Sequence, residues 1–347
     1  MRCAVIGAGN AGQVLAAYLK RKECNVRLYN RTQTVVDNLK KLGFITLCGE
    51  YEGRYAIDVI SSDVSEVIEG AEVIYVTVPA DAHKSVMEKM LPFLENGQII
   101  VLMPGRLGGT AEMEQLLKNN DIKKDIVLAE TDTLIFTCRE IETGVCNIFA
   151  EKEQLKIAVH NSKDKAVVQE KVIPYFGNLV FAKSVKETGL SNIGMLFHPT
   201  PFLMNLVRVE NHMPFLFYKE GITPVVASLI EKIDDERLQV ARVLNVEVVD
   251  VKQWLINTYK ARGENLYELI QSVDAYNDVY APLQMKSRYV YEDIRTGLVP
   301  LILLGESLGI ELPTARSIVR LAEVIYEEDF FLTGRNNESV DWKEFIS

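Results

Sequence analysis

The chain opens on an apolar run, Cys3 to Ile6, that passes through glycines into a helical repeat from about Ala11, with Leu15, Ala16 and Leu19 on one face and Lys20, Arg21 and Lys22 closing the end. A short strand, Asn25 to Tyr29, follows. Gln33 to Leu42 reads as a helix, and Phe44 to Asp58 alternates as an antiparallel hairpin does, turning near Gly49 to Gly53. Val73 to Val78 and Ile99 to Met103 are continuous apolar runs, the pattern of parallel strands buried on both faces. Between them Asp81 is placed to cap a helix running through Leu94. Thr110 to Leu117 is helical and Ile126 to Glu130 is a strand. Phe136 to Val159 breaks into alternating pieces that suit antiparallel strands, and a helix from about Asp164 to Pro174 and a strand Leu179 to Ala182 complete this half.

The glycines fall in Gly7-Ala8-Gly9-Asn10-Ala11-Gly12, between the first strand and the first helix. In that setting Gly7 permits a tight turn, Gly9 lets backbone approach a pyrophosphate, and Gly12 lets the helix pack close to the strand. Asn10 and Ala11 open the helix, whose unpaired N–H groups and positive dipole suit phosphates. The second strand ends in Asn30-Arg31-Thr32, where a carboxylate would bond a ribose 2′-hydroxyl. No acid stands there. Arg31 matches phosphate oxygens bidentately, which favours NADP(H), with NAD(H) as the alternative because Arg31 can also stack on adenine. Ligands bind beyond the carboxyl ends of parallel strands, so Val78 to Ala80, with Pro79 among them, should border the nucleoside. The loop from Pro104 to Thr110 belongs to the same crevice, with Arg106 and Thr110 read as turn residues.

From about Lys183 glycine thins out, strands disappear and helical periodicity takes over. Val225, Val226, Leu229, Ile230 and Ile233 form one apolar face, continued by Leu238, Ala241 and Leu244. Glu231, Lys232, Asp234, Asp235 and Glu236 are assigned to the polar face. Gly334 to Ser339 reads as a turn before a short terminal helix. The expected fold is an α/β Rossmann-type N-terminal domain, residues 1–184, with an all-α C-terminal domain, residues 185–347, the border lying near Lys183 to Ser191.

Of the 347 residues, 48% are hydrophobic and 25% charged, ordinary for a globular chain of about two domains. The net charge of −10 is spread along the chain with no basic cluster among aromatics, which argues against a nucleic-acid partner. Five scattered cysteines without CxxC spacing or neighbouring histidines point to reduced, buried thiols and no metal site. Leu298 to Leu304 is too short to span a bilayer, so no membrane role and a cytoplasmic enzyme are expected.

A nicotinamide moves hydride, and the protein must then manage a proton, for which histidine is the usual carrier. Four histidines are available. His83, early in a polar helix, and His160, after a surface strand, are expected to be solvated, and His212 falls in a loop or a pocket, where it could touch substrate. His198, in Phe197-His198-Pro199, lies just past the border and should face an interdomain cleft. A second segment, Ser287 to Pro300, gathers Arg288, Glu292 and Asp293 among aromatics before an apolar helix.

The glycine fingerprint, Ala129-Glu130-Thr131, Phe197-His198-Pro199, Asp235-Glu236-Arg237, Arg288-Tyr289, Glu292-Asp293 and Gly297-Leu298-Val299-Pro300 together resemble the octopine and nopaline dehydrogenases, the opine dehydrogenase family, over nearly the whole chain. Arg295 stands where the family pattern suggests proline. The resemblance implies a Rossmann-type domain followed by a helical one, and reductive condensation of an amino acid with a 2-oxo acid. It places the catalytic histidine at His198, its paired aspartate at Asp293, a substrate-binding arginine at Arg288, and Glu130 near the amino-acid substrate. Imidazole can polarise an oxo group or imine, a carboxylate behind it fixes the tautomer, and guanidinium grips a carboxylate. The partners are then small-molecule amino acid and 2-oxo acid substrates, and the helical half leaves room for a homodimer. Two alternatives stand beside this reading: a reductase of the ketopantoate reductase or glycerol-3-phosphate dehydrogenase kind, with Lys183 or Lys186 at work, and a non-catalytic NADP(H)-binding regulator.

Overall fold

The computed structural model describes residues 1–347, which divide into two compact units, Met1–Gly189 and Leu190–Ser347. The segment after residue 184 stays with the first unit because it is bonded there. Thr188 Oγ1 donates to Glu130 at 2.7 Å, and Glu187 pairs with Lys156 at 2.6 Å.

The first unit is built on twelve strands: β1 Arg2–Ile6, β2 Asn25–Tyr29, β3 Ile45–Gly49, β4 Gly53–Tyr55, β5 Val59–Ser61, β6 Val73–Val76, β7 Ile99–Leu102, β8 Val127–Thr131, β9 Phe136–Glu142, β10 Val145–Glu151, β11 Leu155–Val159 and β12 Leu179–Phe181. Eight of them form one sheet in the order β12-β11-β8-β7-β6-β1-β2-β5. The pairings from β5 to β8 are parallel, and β11 turns antiparallel against β8. One register row runs through Leu28, Val5, Tyr75, Val101 and Ala129, all buried on one face of the sheet. Ala4, Ile6, Ile74, Val76, Ile100, Leu102 and Leu128 fill the other. Both faces are covered, which is why the strands read as unbroken apolar runs. From β1 the chain runs out to β2 and β5, then returns to β6 on the other side of β1, which puts the topological switch point between the ends of β1 and β6.

The hairpin of β3 and β4 forms as expected, and a second sheet that the sequence did not announce accompanies it. β3 pairs parallel with β10, which pairs antiparallel with β9. This sheet packs on the helix Asn10–Arg21, where Tyr18 meets Phe136 at 5.0 Å and Tyr51 at 5.6 Å. The helix expected from Asp81 begins instead at His83, after a tight turn Ala80–Ala82, and Asp81 is not its cap.

The second unit is all helical. Its longest helix, Pro224–Val243, is capped by Thr223 and packs on Pro313–Tyr326, Leu266–Ser272 and Pro199–Met204. Val299–Ser307 is buried from Val299 to Gly305, so the apolar run there is a central core helix. Asp234 and Glu236, assigned from the pattern to the polar face, are buried. Each has a structural partner set. Asp234 Oδ1 accepts from Arg237 Nε at 2.8 Å and Oδ2 from the Val251 N–H at 2.7 Å, while Arg237 donates to the carbonyls of Leu190 and Val249 at 2.6 and 2.7 Å. Glu236 accepts from the N–H groups of Thr314 and Ala315 at the start of Pro313–Tyr326. No helix of the chain is long and apolar enough to cross a membrane. All five cysteines are free thiols, but Cys48 and Cys138 are half-buried rather than buried.

The Arg237 guanidinium is fully buried and bonded to a carboxylate and two carbonyls. Arg237→Ala leaves Asp234 buried without its cation, and should cost about 3–5 kcal/mol. Denaturant unfolding followed by far-UV circular dichroism measures this as an early loss of helix, and an unchanged transition would contradict it.

Candidate active site

The glycine turn sits at the switch point. Gly7 adopts φ +112° and its N–H donates to the Tyr29 carbonyl at 3.0 Å, while Thr77 Oγ1, just past β6, bonds the Gly7 carbonyl at 3.1 Å. A Cβ on Gly12 would sit 1.6 Å from that same carbonyl, so only glycine lets helix and strand approach this closely. Over Gly9 a Cβ would meet only open space, and Gly9 and Asn10 are exposed. The helix Asn10–Arg21 starts at Gly9 with no side-chain cap. Its first N–H groups are therefore presented to a phosphate, and the cradle fits a dinucleotide. Asn10 Oδ1 accepts from the Glu140 N–H at 3.3 Å, so it also ties the turn to β9. Arg31 is exposed at the tip of β2, Asn30 is half-buried with its N–H on the Ser61 carbonyl, and Pro79 is exposed where the chain leaves β6. Ala11, Leu15, Thr77, Met103, Leu134, Ile135 and Phe136 line a small apolar recess beside the turn.

In the helical unit His198 lies between the helices Gly194–Phe197 and Pro199–Met204, and Asp293 ends the helix Arg288–Asp293. His198 Nδ1 and Asp293 Oδ2 are 2.7 Å apart. The Asp293 carboxylate is completely buried and the imidazole is 18% exposed, so the dyad has its acid inside and its ring edge accessible. With Nδ1–H donating to the carboxylate, Nε2 is left as the acceptor, and the Tyr218 hydroxyl stands 3.4 Å from it. Burial, with smaller contributions from Tyr289, Tyr259 and Asp293, holds the Tyr218 phenol well above its ordinary range, so it remains a donor. Tyr289 lies flat on the imidazole, with ring centres 4.2 Å apart and planes 7° from parallel.

Backbone geometry brings the two helices together. After Asp293 the chain makes a turn of π-helix, Ile294–Leu298, and a Cβ on Gly297 would come 2.6 Å from the Met195 Cβ. The absence of that Cβ lets the π-turn seat against the helix that precedes His198.

A sequence profile described as "NAD/NADP octopine/nopaline dehydrogenase, alpha-helical domain" matches residues 181–326, and one described as "Ketopantoate reductase PanE/ApbA" matches residues 3–171. An opine dehydrogenase of Arthrobacter sp. (strain 1C) is 32% identical over 338 residues, spanning 97% of this chain and 94% of that protein. The chain belongs to the opine dehydrogenase family. It is an NAD(P)-dependent oxidoreductase acting on the CH–NH group of donors. The fold is shared with the octopine dehydrogenase solved with NADH and L-arginine, at a TM-score of 0.80 and 20% identity over 100% of this chain and 96% of that one. Yersinopine dehydrogenase with NADP+ bound gives 0.75 at 17% identity over 92% and 90%.

Arg288 is 60% exposed, and its Nε lies 3.3 Å from Glu292, not from Asp293. Glu130 is fully buried and its carboxylate is occupied by protein donors, Thr188 Oγ1 at 2.7 Å and the Thr110 N–H at 3.1 Å. That geometry makes Glu130 a support for the start of the helix Gly109–Asn119. Arg295, in place of proline, pairs with Glu328 and stacks on Tyr291 at 4.7 Å. His83 is fully buried, not solvated, and His160 is half-buried 3.3 Å from Thr110 Oγ1. His212 is exposed in a turn at φ +52°. No group of three or more metal-binding side chains occurs. Tyr218 and the stacking role of Tyr289 escaped sequence reasoning, since neither contact has a periodic signature.

Tyr289→Leu removes the aromatic plate from the imidazole and should lower kcat about tenfold through a misaligned ring, with the KM for NADPH and the thermal midpoint unchanged. Tyr289→Phe keeps the plate and should retain wild-type kcat. Steady-state kinetics checks both, and equal losses in the two variants would count against the stacking role.

Proposed function

We propose that the protein couples an amino acid to a 2-oxo acid through an imine and reduces that imine to a secondary amine, with NADPH as the preferred reductant. The observation that carries this reading is the His198–Asp293 pair at 2.7 Å in a chain of this family.

Attack of the amine on the 2-oxo carbon with loss of water forms the C=N bond. When bound at the glycine turn, the nicotinamide supplies the hydride that the imine carbon receives. His198 accepts the proton that the substrate ammonium must lose and returns it through Nε2 to the departing oxygen, which leaves as water; the amine product takes its further proton from solvent. Asp293 holds the ring in the Nδ1–H tautomer and stabilises its cationic form. Arg288, exposed and next to Tyr289, takes a substrate carboxylate by exchanging its contact with Glu292. Gly9, Asn10 and Ala11 present N–H groups to the pyrophosphate. Gly7 and Gly12 shape the turn, Pro79 borders the nucleoside, and Asn30 and Arg31 receive the 2′-phosphate.

NADPH oxidation measured over a matrix of 2-oxo acids, with and without each amino acid, should appear only when both partners are present. Oxidation by an oxo acid alone would point to a ketopantoate reductase type of reaction, and none at all to a binding protein. In the active pair, His198→Ala should lower kcat by about 10²–10⁴-fold and leave NADPH affinity intact; retained turnover would remove His198 from the mechanism.

Arg31→Ala should raise the KM for NADPH about tenfold or more while changing that for NADH little, because only NADPH carries the phosphate. An equal change for both would mean that Arg31 reads the adenine.

A further inference from the structure

Lys152 has no part in the reaction as described. It follows β10, with its N–H on the Ile135 carbonyl at 3.1 Å and its own carbonyl held by Asn178 Nδ2 at 2.7 Å. Its Nζ reaches Thr133 Oγ1 at 2.6 Å, which uses one of three N–H donors. Thr133 is itself fixed, its carbonyl accepting from Thr131 Oγ1 at 2.7 Å at the end of β8. A half-buried ammonium with donors to spare is well completed by an anionic oxygen.

Its position gives that oxygen a direction. Leu134, Ile135 and Phe136, which follow Thr133, line the recess shared with Ala11, Thr77 and Met103 beside the cofactor turn. A dinucleotide bound from Arg31 at the tip of β2 across the switch point would put its nicotinamide end toward β7 and β8, and the bond to Thr133 brings the Lys152 ammonium just past the end of β8. Two charged groups act on the ammonium: Asp132 favours its charge, and Arg106, in the loop after β7, adds a second positive charge nearby. The Asp132 carboxylate is committed in part to the Lys156 N–H at 3.2 Å.

We propose that Lys152 anchors a carboxylate subsite on the cofactor-binding unit, and that it takes a carboxylate of one of the organic substrates at the carboxyl end of β8. The subsite rests on the amino acid and 2-oxo acid reading above, and its occupant is the carboxylate of either partner.

The NADP+-saturated full chain is titrated calorimetrically with pyruvate, 2-oxoglutarate and L-arginine, as wild type, Lys152→Met and Lys152→Arg. The Met variant should bind one of these carboxylates about 10–100-fold more weakly, and the Arg variant should stay within a few-fold of wild type. Which ligand weakens assigns the subsite to the oxo acid or to the amino acid. Burial, then the opposing pull of Asp132 and the push of Arg106, set the Lys152 ammonium at about 8, so wild-type affinity should fall above that pH while the Arg variant holds. The pH arm needs no folded Met variant. Unchanged affinity for all three ligands in the Met variant, no binding of any by wild type, or a loss confined to NADP+ would each overturn the subsite. Binding that depends on Lys152 without turnover in the substrate matrix would sink the reaction and spare the subsite. Turnover with binding indifferent to Lys152 would do the reverse.

Discussion

The hydrogen bond between His198 and Asp293 sets the terms for the helical unit. A carboxylate with no solvent exposure is expensive to bury, and it is tolerated because a charge-assisted bond of 2.7 Å meets it from a ring that can carry a positive charge. The partners belong to helices far apart in the sequence, so the bond exists only if the packing between them is correct. Gly297 supplies the close approach at the π-turn, and Tyr289 fixes the plane of the ring. The buried Arg237–Asp234 pair joins Leu190, Val249 and Val251 to the longest helix, which itself packs on Pro199–Met204.

In the first unit the corresponding constraint is steric. The Gly12 position tolerates nothing beyond hydrogen against the Gly7 carbonyl, and the sheet that carries the turn is apolar on both faces. Gln13, buried one residue further on, donates to the Ala8 carbonyl at 2.9 Å and to Glu140 at 2.8 Å, and accepts from the Gly144 N–H at 3.2 Å. The second sheet thus holds the phosphate-binding helix from the side opposite the first, and the turn is fixed before any ligand arrives. Preorganisation of this kind keeps the backbone N–H groups aimed without an ordering cost on binding.

What could be read in the sequence was whatever has a local or periodic cause. The strand, glycine turn and helix at the start, the helix Gln33–Leu42, the hairpin after it and the change of texture near Lys183 are all of that sort. The dyad became legible only by resemblance, since an Asp and a His about a hundred residues apart leave no periodic trace. The second sheet stayed hidden for the same reason: β3 and β10 pair across a long stretch of chain, and neither strand signals its partner. Asp234, Glu236 and His83 were placed outside because a polar residue in a helix is most often solvated. Periodicity cannot tell a solvated acid from one whose oxygens are taken up by an arginine and backbone N–H groups.

The buried acids of the molecule differ in the partners that meet their oxygens. Both oxygens of Glu236 face backbone N–H groups, those of Asp234 face an arginine and a backbone N–H, and those of Glu130 face a hydroxyl and a backbone N–H. Those donors are an arginine, a hydroxyl and backbone N–H groups, and they hold the geometry of each acid. Asp293 faces an imidazole, the side chain whose charge changes most readily near neutral pH. Burial with fixed donors makes a carboxylate part of the frame, whereas burial against a titratable ring ties its energy to where a proton sits. In the helical unit Asp293 is the buried acid that meets an imidazole, and its geometry depends on that ring.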